Sequence, residues 1–133
     1  MRLVLTVDEP DDRRLVYVFE PATVSRVIDG DTLVLTNGER VRLIGIDAPE
    51  MGRFGAREGA EPGAVESKYF VKMRLEQHGH RVYLQTSGSD RDRFERLRRY
   101  VWLGLPSDPA NQRHELLLNQ LLLDYGHAVI WRN

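Results

Sequence analysis

Short segments in which apolar and polar residues alternate occur along much of the chain, and a period of two predicts half-buried β-strands. These segments cover residues 2–7, 15–19, 24–28, 81–86 and 100–103. Helical patterns cover residues 66–77 and 115–125, and a glycine follows each of them closely. The predicted apolar stripe of the first helix consists of Tyr69, Phe70, Met73 and Leu75. Locally paired early strands with two later helices predict a small β-barrel with helices packed against it.

The strongest turn signal is Asn37-Gly38, which joins two apolar runs and predicts a β-hairpin. The apolar residues of the second run lie first on odd and then on even positions, namely Val41, Leu43, Ile44 and Ile46. A strand with one buried face keeps its parity unless an extra residue is inserted. We therefore predict a bulge or kink with Gly45 as its pivot. This irregularity would turn Arg42 and Asp47 to the same side, away from the core.

Acidic residues flank this hairpin, and a hairpin brings its two open ends side by side. Asp31 precedes the first run, Asp47 follows the second run, and Glu50 comes three residues later. Three carboxylates at one end of a hairpin would form a hard oxygen site suited to calcium or magnesium. The chain has no cysteine, and zinc is not indicated. We interpret the scattered histidines as surface or packing residues; they are His78, His80, His114 and His127.

Length and charge narrow the function classes. A chain of 133 residues is expected to form one domain. Its net charge of −1 and pI of about 6.4 argue against a broad basic surface that coats nucleic acid. No apolar run approaches the length of about 20 residues that spans a bilayer, and the charged N-terminus does not resemble a signal peptide. We expect a soluble protein without a membrane partner, and secretion after removal of a signal stays open.

Each acidic or basic motif also has a simpler interpretation when it is taken alone. Asp29-Gly30-Asp31 is compatible with a plain turn, and Asp47-Ala48-Pro49-Glu50 with a turn or a helix entry. Arg42 is compatible with a solvated charge on the polar face of a strand. The charged segment 90–99 is compatible with an exposed helix or loop that contains local ion pairs. The joint occurrence of these motifs, with Arg42 and Asp47 aimed alike, favours one common site.

Together these motifs resemble the staphylococcal nuclease-like (thermonuclease) domain family. The residues that carry the resemblance lie in several segments, namely 20–24, 28–32, 41–43, 47–50, Glu66, Phe70, 92–96, Tyr100, Asn119 and Gly126. The resemblance extends from about residue 20 to the C-terminus. We therefore interpret residues 1–133 as a single domain, with residues 1–19 as an N-terminal extension and residues 20–133 as the family core.

The resemblance implies a fold and an activity. The fold would be α+β and mainly β: a five-stranded OB-fold barrel with two main helices, to which residues 2–19 add an N-terminal strand or hairpin. The activity would be that of a calcium-dependent phosphodiesterase, an endo- and exonuclease that hydrolyses DNA and RNA and leaves 3′-phosphate ends. Its substrates would be single-stranded or locally melted nucleic acids, its cofactor Ca²⁺, and its oligomeric state a monomer.

The resemblance also implies a set of metal ligands and a base. Asp31 and Asp47 would bind calcium through their carboxylates, and Ala48 would bind it through its main-chain carbonyl, a role that is indifferent to the side chain. Glu50 would orient or deprotonate the attacking water. Such a base must lie within hydrogen-bond reach of the water, about 2.6–3.2 Å, directly or through one further water.

Arginines would hold the substrate. Arg42 and Arg96 would bind the scissile phosphate, since a guanidinium offers forked donors to phosphoryl oxygens as charge builds up. Arg93 and Phe94 would be further substrate-binding residues. Two positions depart from the family pattern: Phe94 stands where tyrosine is common, and Glu95 stands where glycine is common. Glu95 would neutralise Arg96 or compete with the phosphate, which affects the vigour of catalysis more than its type.

Two other function classes stay open. One is a catalytically weak or inactive module of the same fold that binds nucleic acid or protein, and loss of the acidic and arginine residues would mark it. Those residues are all present. The other is an OB-fold oligonucleotide binder without chemistry, which predicts aromatic residues along the strands. The strands here are mostly aliphatic, although Tyr125 and Trp131 are candidate stacking surfaces.

Overall fold

The computed structural model describes residues 1–8, 10–106 and 115–131. Its strands are β1 (Leu3–Asp8), β2 (Arg14–Asp29), β3 (Thr32–Leu35), β4 (Arg40–Leu43), β5 (Ile46–Asp47), β6 (Arg81–Gln85), β7 (Leu97–Trp102) and β8 (Val129–Ile130). Its helices are α1 (Ala64–Gln77) and α2 (Leu118–Asp124), and a short 3₁₀ turn covers Arg53–Gly55. His114 and part of the predicted loop after Gly104 lie outside the described residues.

Strand β2 closes the barrel because it pairs with different neighbours along its 16 residues. Residues 20–23 pair with β6, and residues 24–29 pair with β3. The closed order is β2, β3, β4, β7, β6 and back to β2. All of these pairings are antiparallel except that between β4 and β7. The predicted fold class is confirmed: a five-stranded barrel of the OB type, with two helices and an extra strand, β1, paired to the start of β2.

The strands predicted at residues 15–19 and 24–28 form one continuous strand. Pro21 lies between them and pairs opposite Tyr83 at the level where β2 passes from β1 to β6. The start of β2 and β1 pack against a small second cluster built on Phe19, Trp102 and Leu117. The rings of Phe19 and Trp102 meet edge to face, with centroids 6.1 Å apart. This cluster anchors the N-terminal hairpin to β7.

Helix α1 packs on the barrel with a different face from the one predicted. Its buried residues are Ala64, Ser67, Val71 and Leu75. Of the predicted stripe, Tyr69 and Met73 are exposed, while Phe70 is half-buried and Leu75 is buried. The prediction was wrong for Tyr69 and Met73 and correct for Leu75. The buried face begins with the small residues Ala64 and Ser67, which let the helix approach the strands closely. Within the described ranges, no helix is long and apolar enough to cross a membrane.

The predicted irregularity at Gly45 is confirmed. Strand β4 ends at Leu43, the chain turns through Ile44 and Gly45, and β5 begins at Ile46. Gly45 has a φ of 80°, in the left-handed region that glycine adopts without strain. Asn119 of α2 holds this turn, since its Nδ2 donates to the Ile44 carbonyl at 2.8 Å while its Oδ1 accepts from Val101 N at 2.9 Å.

Gly30 marks the closest approach of α1 to the turn between β2 and β3. A Cβ atom at this position would lie 2.0 Å from Ser67 Oγ and 3.1 Å from the Cβ of Ala48. Ser67 is fully buried, and its Oγ donates to the His127 carbonyl at 3.0 Å. The turn that ends at Asp31 therefore depends on the absence of a side chain at Gly30.

We predict that Gly30→Ala lowers the free energy of unfolding by about 2 kcal/mol, because it overpacks this contact. The same substitution should cost about 1 kcal/mol less in a Ser67→Ala background, where the clashing hydroxyl is gone. Urea unfolding of the four proteins, followed by circular dichroism, measures this coupling. Strict additivity of the two substitutions would contradict the predicted contact.

Candidate functional site

The register of the β3–β4 hairpin places Asp31, the first of the predicted metal ligands, beside Arg42, the first of the two predicted phosphate-binding arginines. Thr32 pairs directly with Arg42, so Asp31 lies next to Arg42 at the open end of the hairpin. The main chain locks this arrangement, because Leu43 N donates to the Asp31 carbonyl at 2.9 Å. The predicted meeting of Asp31 and Asp47 thus begins with the register that the Asn37-Gly38 turn sets.

Arg42 holds the bend and joins two carboxylates. Its Nη1 donates to the carbonyls of Leu43 and Ile46, each at 2.8 Å. Its Nη2 lies 3.4 Å from Asp31 Oδ2 and 3.2 Å from Asp47 Oδ1. The guanidinium is largely buried, and the kink at Gly45 is what lets it reach residues on both sides of the bend. This geometry confirms that Arg42 and Asp47 face the same side.

Asp31 is buried, and both of its carboxylate oxygens accept hydrogen bonds. The Thr32 hydroxyl donates to Oδ1 at 2.9 Å, and Ala48 N donates to Oδ2 at 2.7 Å. The main chain of Ala48 therefore lies in direct contact with the Asp31 carboxylate. The neighbouring Asp29 accepts from Met51 N at 2.7 Å and ties the following loop to the same turn.

Asp47 is the more open of the two aspartates, with its side chain 45% exposed against 5% for Asp31. Burial raises the pKa of Asp47, and the negative charge of Asp31 raises that pKa further. Arg42 lowers the pKa, but not enough to cancel these effects. The pair therefore has an excess of negative charge that a further cation would relieve.

Arg96 reaches the same face through the parallel pairing of β4 with β7. Arg42 pairs with Arg98, and Arg96 lies two residues before Arg98. Arg42 and Arg98 are paired on neighbouring strands and share the face that points away from the core, and Arg96, directly before β7, lines the same cavity. The buried Leu97 and Arg99 point the other way. The guanidinium of Arg99 forms an ion pair with Asp90, in which Nη2 and Oδ1 are 2.8 Å apart.

The segment before β7 forms a tight turn around Asp92. The Asp92 carboxylate accepts from the main-chain N–H groups of Phe94 and Arg96, at 2.9 and 3.0 Å, and from Arg96 Nε at 2.7 Å. Burial alone would raise the pKa of Asp92, but the hydrogen bonds from Arg96 and Phe94 outweigh burial and hold the pKa below its usual range. Phe94 is half exposed and lies under two guanidiniums, those of Arg93 at 4.8 Å and Arg96 at 5.3 Å.

Glu95 occupies a position that suits glycine. Its φ is 64°, in the left-handed region, and its N–H donates to the Asp92 carbonyl at 3.1 Å to close the turn. The carboxylate that Arg96 contacts is that of Asp92, so Glu95 does not pair with Arg96, and its expected competition with the substrate phosphate stays a prediction. The departure from glycine at this position therefore strains the backbone.

These groups line one open cavity of about 840 Å³. The predicted site residues that line it are Arg42, Asp47, Glu50, Arg93, Phe94 and Arg96. Asp31 and Ala48 lie buried beside it. Further residues of the wall that were not predicted as site residues are Ser89, Arg91 and Arg98. The alternation of residues 96–100 could have identified Arg98.

Two stacking candidates have different outcomes. Trp131 lines the cavity, whereas Tyr125 packs on Phe70 with ring centroids 5.3 Å apart.

The predicted convergence of three carboxylates holds for Asp31 and Asp47 only. Within the described part of the chain, no three His, Cys, Asp or Glu residues cluster closely enough to hold a metal by themselves. The main chain of Glu50 bonds to Glu61 in both directions, since Glu50 N donates to Glu61 Oε1 and Glu61 N donates to the Glu50 carbonyl.

Comparison with known families identifies the family of the chain. The model of the staphylococcal nuclease homologue family matches residues 40–133. The chain belongs to this family. The match includes Arg42, Asp47, Glu50 and Arg96 and begins after Asp31. Membership in the staphylococcal nuclease family confirms the resemblance found in the sequence.

Individual relatives carry nuclease names. The thermonuclease of Staphylococcus intermedius is 38% identical over 88 residues, which are 64% of this chain and 50% of the relative. The thermonuclease of Staphylococcus hyicus is 34% identical over 84 residues, 61% of this chain and 47% of the relative. The micrococcal nuclease of Shigella flexneri is 33% identical over 113 residues, 82% of this chain and 57% of the relative. The chain spans about half the length of these relatives.

We predict that Glu95→Gly is more stable than Glu95→Ala by about 1 kcal/mol, because only glycine relieves the left-handed strain. Both substitutions remove the carboxylate, so they separate the effect of the backbone from that of the charge. Urea unfolding measures the difference in stability. Equal midpoints for the two variants would mean that the turn carries no such strain.

Proposed function

We propose that the chain is a calcium-dependent phosphodiesterase that hydrolyses DNA and RNA by attack of water and leaves 3′-phosphate ends. The observation that carries the proposal is the combination, in and directly beside one cavity, of an acidic pair, a separate carboxylate and two anchored arginines. These are Asp31 with Asp47, Glu50, and Arg42 with Arg96. Membership in a family whose relatives are named nucleases supports the same activity.

Arg42 and Arg96 suit the stabilisation of a phosphoryl group because their positions are set before substrate arrives. Two main-chain carbonyls hold Nη1 of Arg42, and Asp92 holds Nε of Arg96. The contact of Arg96 through Nε leaves its two terminal nitrogens as the donors that we assign to the phosphate. Preorganised donors of this kind need little reorganisation as charge develops on the phosphoryl oxygens.

We assign the general base to Glu50. Its side chain is exposed and lines the cavity with Arg42 and Arg96. It also lines a smaller recess with Arg40, Phe94 and Arg96. A carboxylate in this position can accept a proton from water that attacks a phosphate held by the arginines.

The acidic pair fits a calcium ion whose shell is completed by water. Calcium takes six to eight oxygen ligands, and the protein would supply two carboxylates and the carbonyl of Ala48. Burial and the charge of Asp31 raise the pKa of Asp47, and two carboxylates that face one guanidinium leave one negative charge uncompensated. When bound, the ion would polarise the phosphate and lower the pKa of water. The forked arginines supply the positive charge that a second metal would otherwise provide.

We predict that Glu50→Gln reduces cleavage of single-stranded DNA by at least about 100-fold, as expected for loss of a general base. The assay measures digestion with calcium and with a chelator, and end-group analysis of the products tests for 3′-phosphates. Glu58→Gln is the matched control, because Glu58 is an exposed carboxylate of the same loop.

Wild-type rates in Glu50→Gln, or an equal loss in Glu58→Gln, would refute the role of Glu50. No cleavage by the wild-type protein under any metal condition, with binding of the same DNA retained, would instead favour the inactive binding module. RNA of the same sequence in parallel reactions reports the preference between the two nucleic acids, and light scattering tests whether the protein is a monomer.

We predict opposite effects of Asp47→Asn on calcium binding and on stability. The folded pKa of Asp47 exceeds its unfolded value, so this carboxyl favours folding while protonated and opposes folding as the pH rises through the folded pKa. At neutral pH without calcium, the asparagine variant should therefore unfold at a higher denaturant concentration than the wild type. Its calcium affinity should fall at least about tenfold, because a ligand charge is lost.

Isothermal titration with calcium and urea unfolding in a chelator measure the two effects. Asp124→Asn serves as the control, since Asp124 is an exposed acid on α2 that bonds to Gln120. Unchanged calcium affinity in Asp47→Asn would place the ion elsewhere.

A further inference from the structure

The loop between Glu50 and α1 exposes an aromatic ring at an unusual backbone position. Phe54 lies in the 3₁₀ turn Arg53–Gly55 with φ 55° and ψ 27°, in the left-handed region. Its residue surface is 89% exposed. A bulky residue in this region costs about 1–2 kcal/mol, and an exposed ring regains little of that cost through burial. An outlier of this kind is a reason to look for a function.

The turn is held firmly on several sides. Gly52 N donates to the Ala56 carbonyl at 2.7 Å, and Gly55 N donates to the Gly52 carbonyl at 3.0 Å. Lys68 Nζ of α1 donates to the Gly55 carbonyl at 3.0 Å. These bonds fix the main chain on either side of Phe54, so the ring is presented to solvent from a rigid support.

Two basic side chains, Arg53 and Lys68, contact the ring or the turn that carries it. Arg53 lies over Phe54, with its guanidinium carbon 5.8 Å from the ring centroid. The only two lysines of the chain, Lys68 and Lys72, lie four residues apart on α1, a spacing at which like charges repel. Burial lowers the pKa of Lys68, and the charge of Lys72 lowers it further, while Asp29 opposes these effects. An anion beside Lys68 would relieve this repulsion.

The ring belongs to the loop that begins at the proposed base. Phe54 follows Glu50 by four residues, a separation of at most roughly 14 Å along the chain. The loop is tied to the turn before Asp31 at two points. Met51 N donates to Asp29 Oδ1, and Gly55 lies against Ile28. The proposed base and the ring are therefore carried by one loop that is fixed to the turn before Asp31.

We propose that Arg53, Phe54 and Lys68 form a second contact for single-stranded nucleic acid, which we call the loop platform. A base stacks on the Phe54 ring, and the neighbouring phosphate is bound by Arg53 and Lys68. Stacking of this kind tolerates any base, because each base has a π-face. The inference rests on the proposed nuclease function and adds to it a preference for substrates long enough to reach the loop.

The test measures binding and stability separately. Fluorescence anisotropy in calcium, on an inactive Glu50→Gln background, compares a labelled oligothymidylate of about a dozen nucleotides with one of about three. Phe54→Gly should bind the long oligonucleotide about tenfold more weakly and leave binding of the short one unchanged. It should also be at least as stable as its parent, because glycine relieves the strain at this φ. Phe54→Trp should restore binding of the long oligonucleotide.

Tyr69→Ala is the matched control, since Tyr69 is an exposed aromatic residue of α1, and it should change neither measurement. Equal weakening for both oligonucleotide lengths, unchanged binding of both, or a loss of stability in Phe54→Gly would each overturn the proposal. So would Phe54-dependent binding to vesicles of phosphatidylserine without any effect on DNA. Failure of the proposed nuclease function would appear independently, as absence of cleavage by the wild type.

Discussion

The site depends on one constraint, the bend at Ile44 and Gly45. The guanidinium of Arg42 spans this bend. Arg42 Nη1 bonds to a carbonyl on each side of the bend, and Asn119 bonds to the carbonyl at its centre. A regular strand through Gly45 would send Asp47 to the opposite face. The bend therefore converts an ordinary hairpin into a structure whose two ends present acidic groups to one arginine.

The electrostatics of the cavity follow from this geometry. Arg42 lies between two carboxylates, and Arg96 is held by Asp92, so each arginine of the proposed site is placed by an acidic partner. The chain as a whole is close to neutral, with a net charge of −1. Local separation of charge, rather than a basic surface, provides the arginines that face the cavity. This arrangement explains why overall composition gave no sign of a nucleic-acid substrate.

Stability and function compete at several positions around the site. Asp47 carries a charge that the fold does not fully compensate, and Glu95 and Phe54 occupy left-handed backbone positions. Each feature lies in or next to the loops that border the proposed site. The barrel, by contrast, has a continuous aliphatic core that includes Leu33, Val41 and Val101. A rigid barrel of this kind can support strained loops at one edge.

The β-hairpin, the bend and the family could be predicted from the order of the amino acids alone, because each depends on local signals. Asn37-Gly38 sets the register, the change of apolar parity requires the bend, and the short acidic and arginine motifs identify the family. The buried face of α1, by contrast, depends on the close contact between Ser67 and Gly30, which no local pattern reveals. The tertiary structure also brought Arg98 to the cavity wall. The alternation of residues 96–100 places Arg98 on the polar face of its strand, but the parallel pairing of β4 with β7 puts it opposite Arg42. No local pattern encodes a pairing between segments so distant in sequence.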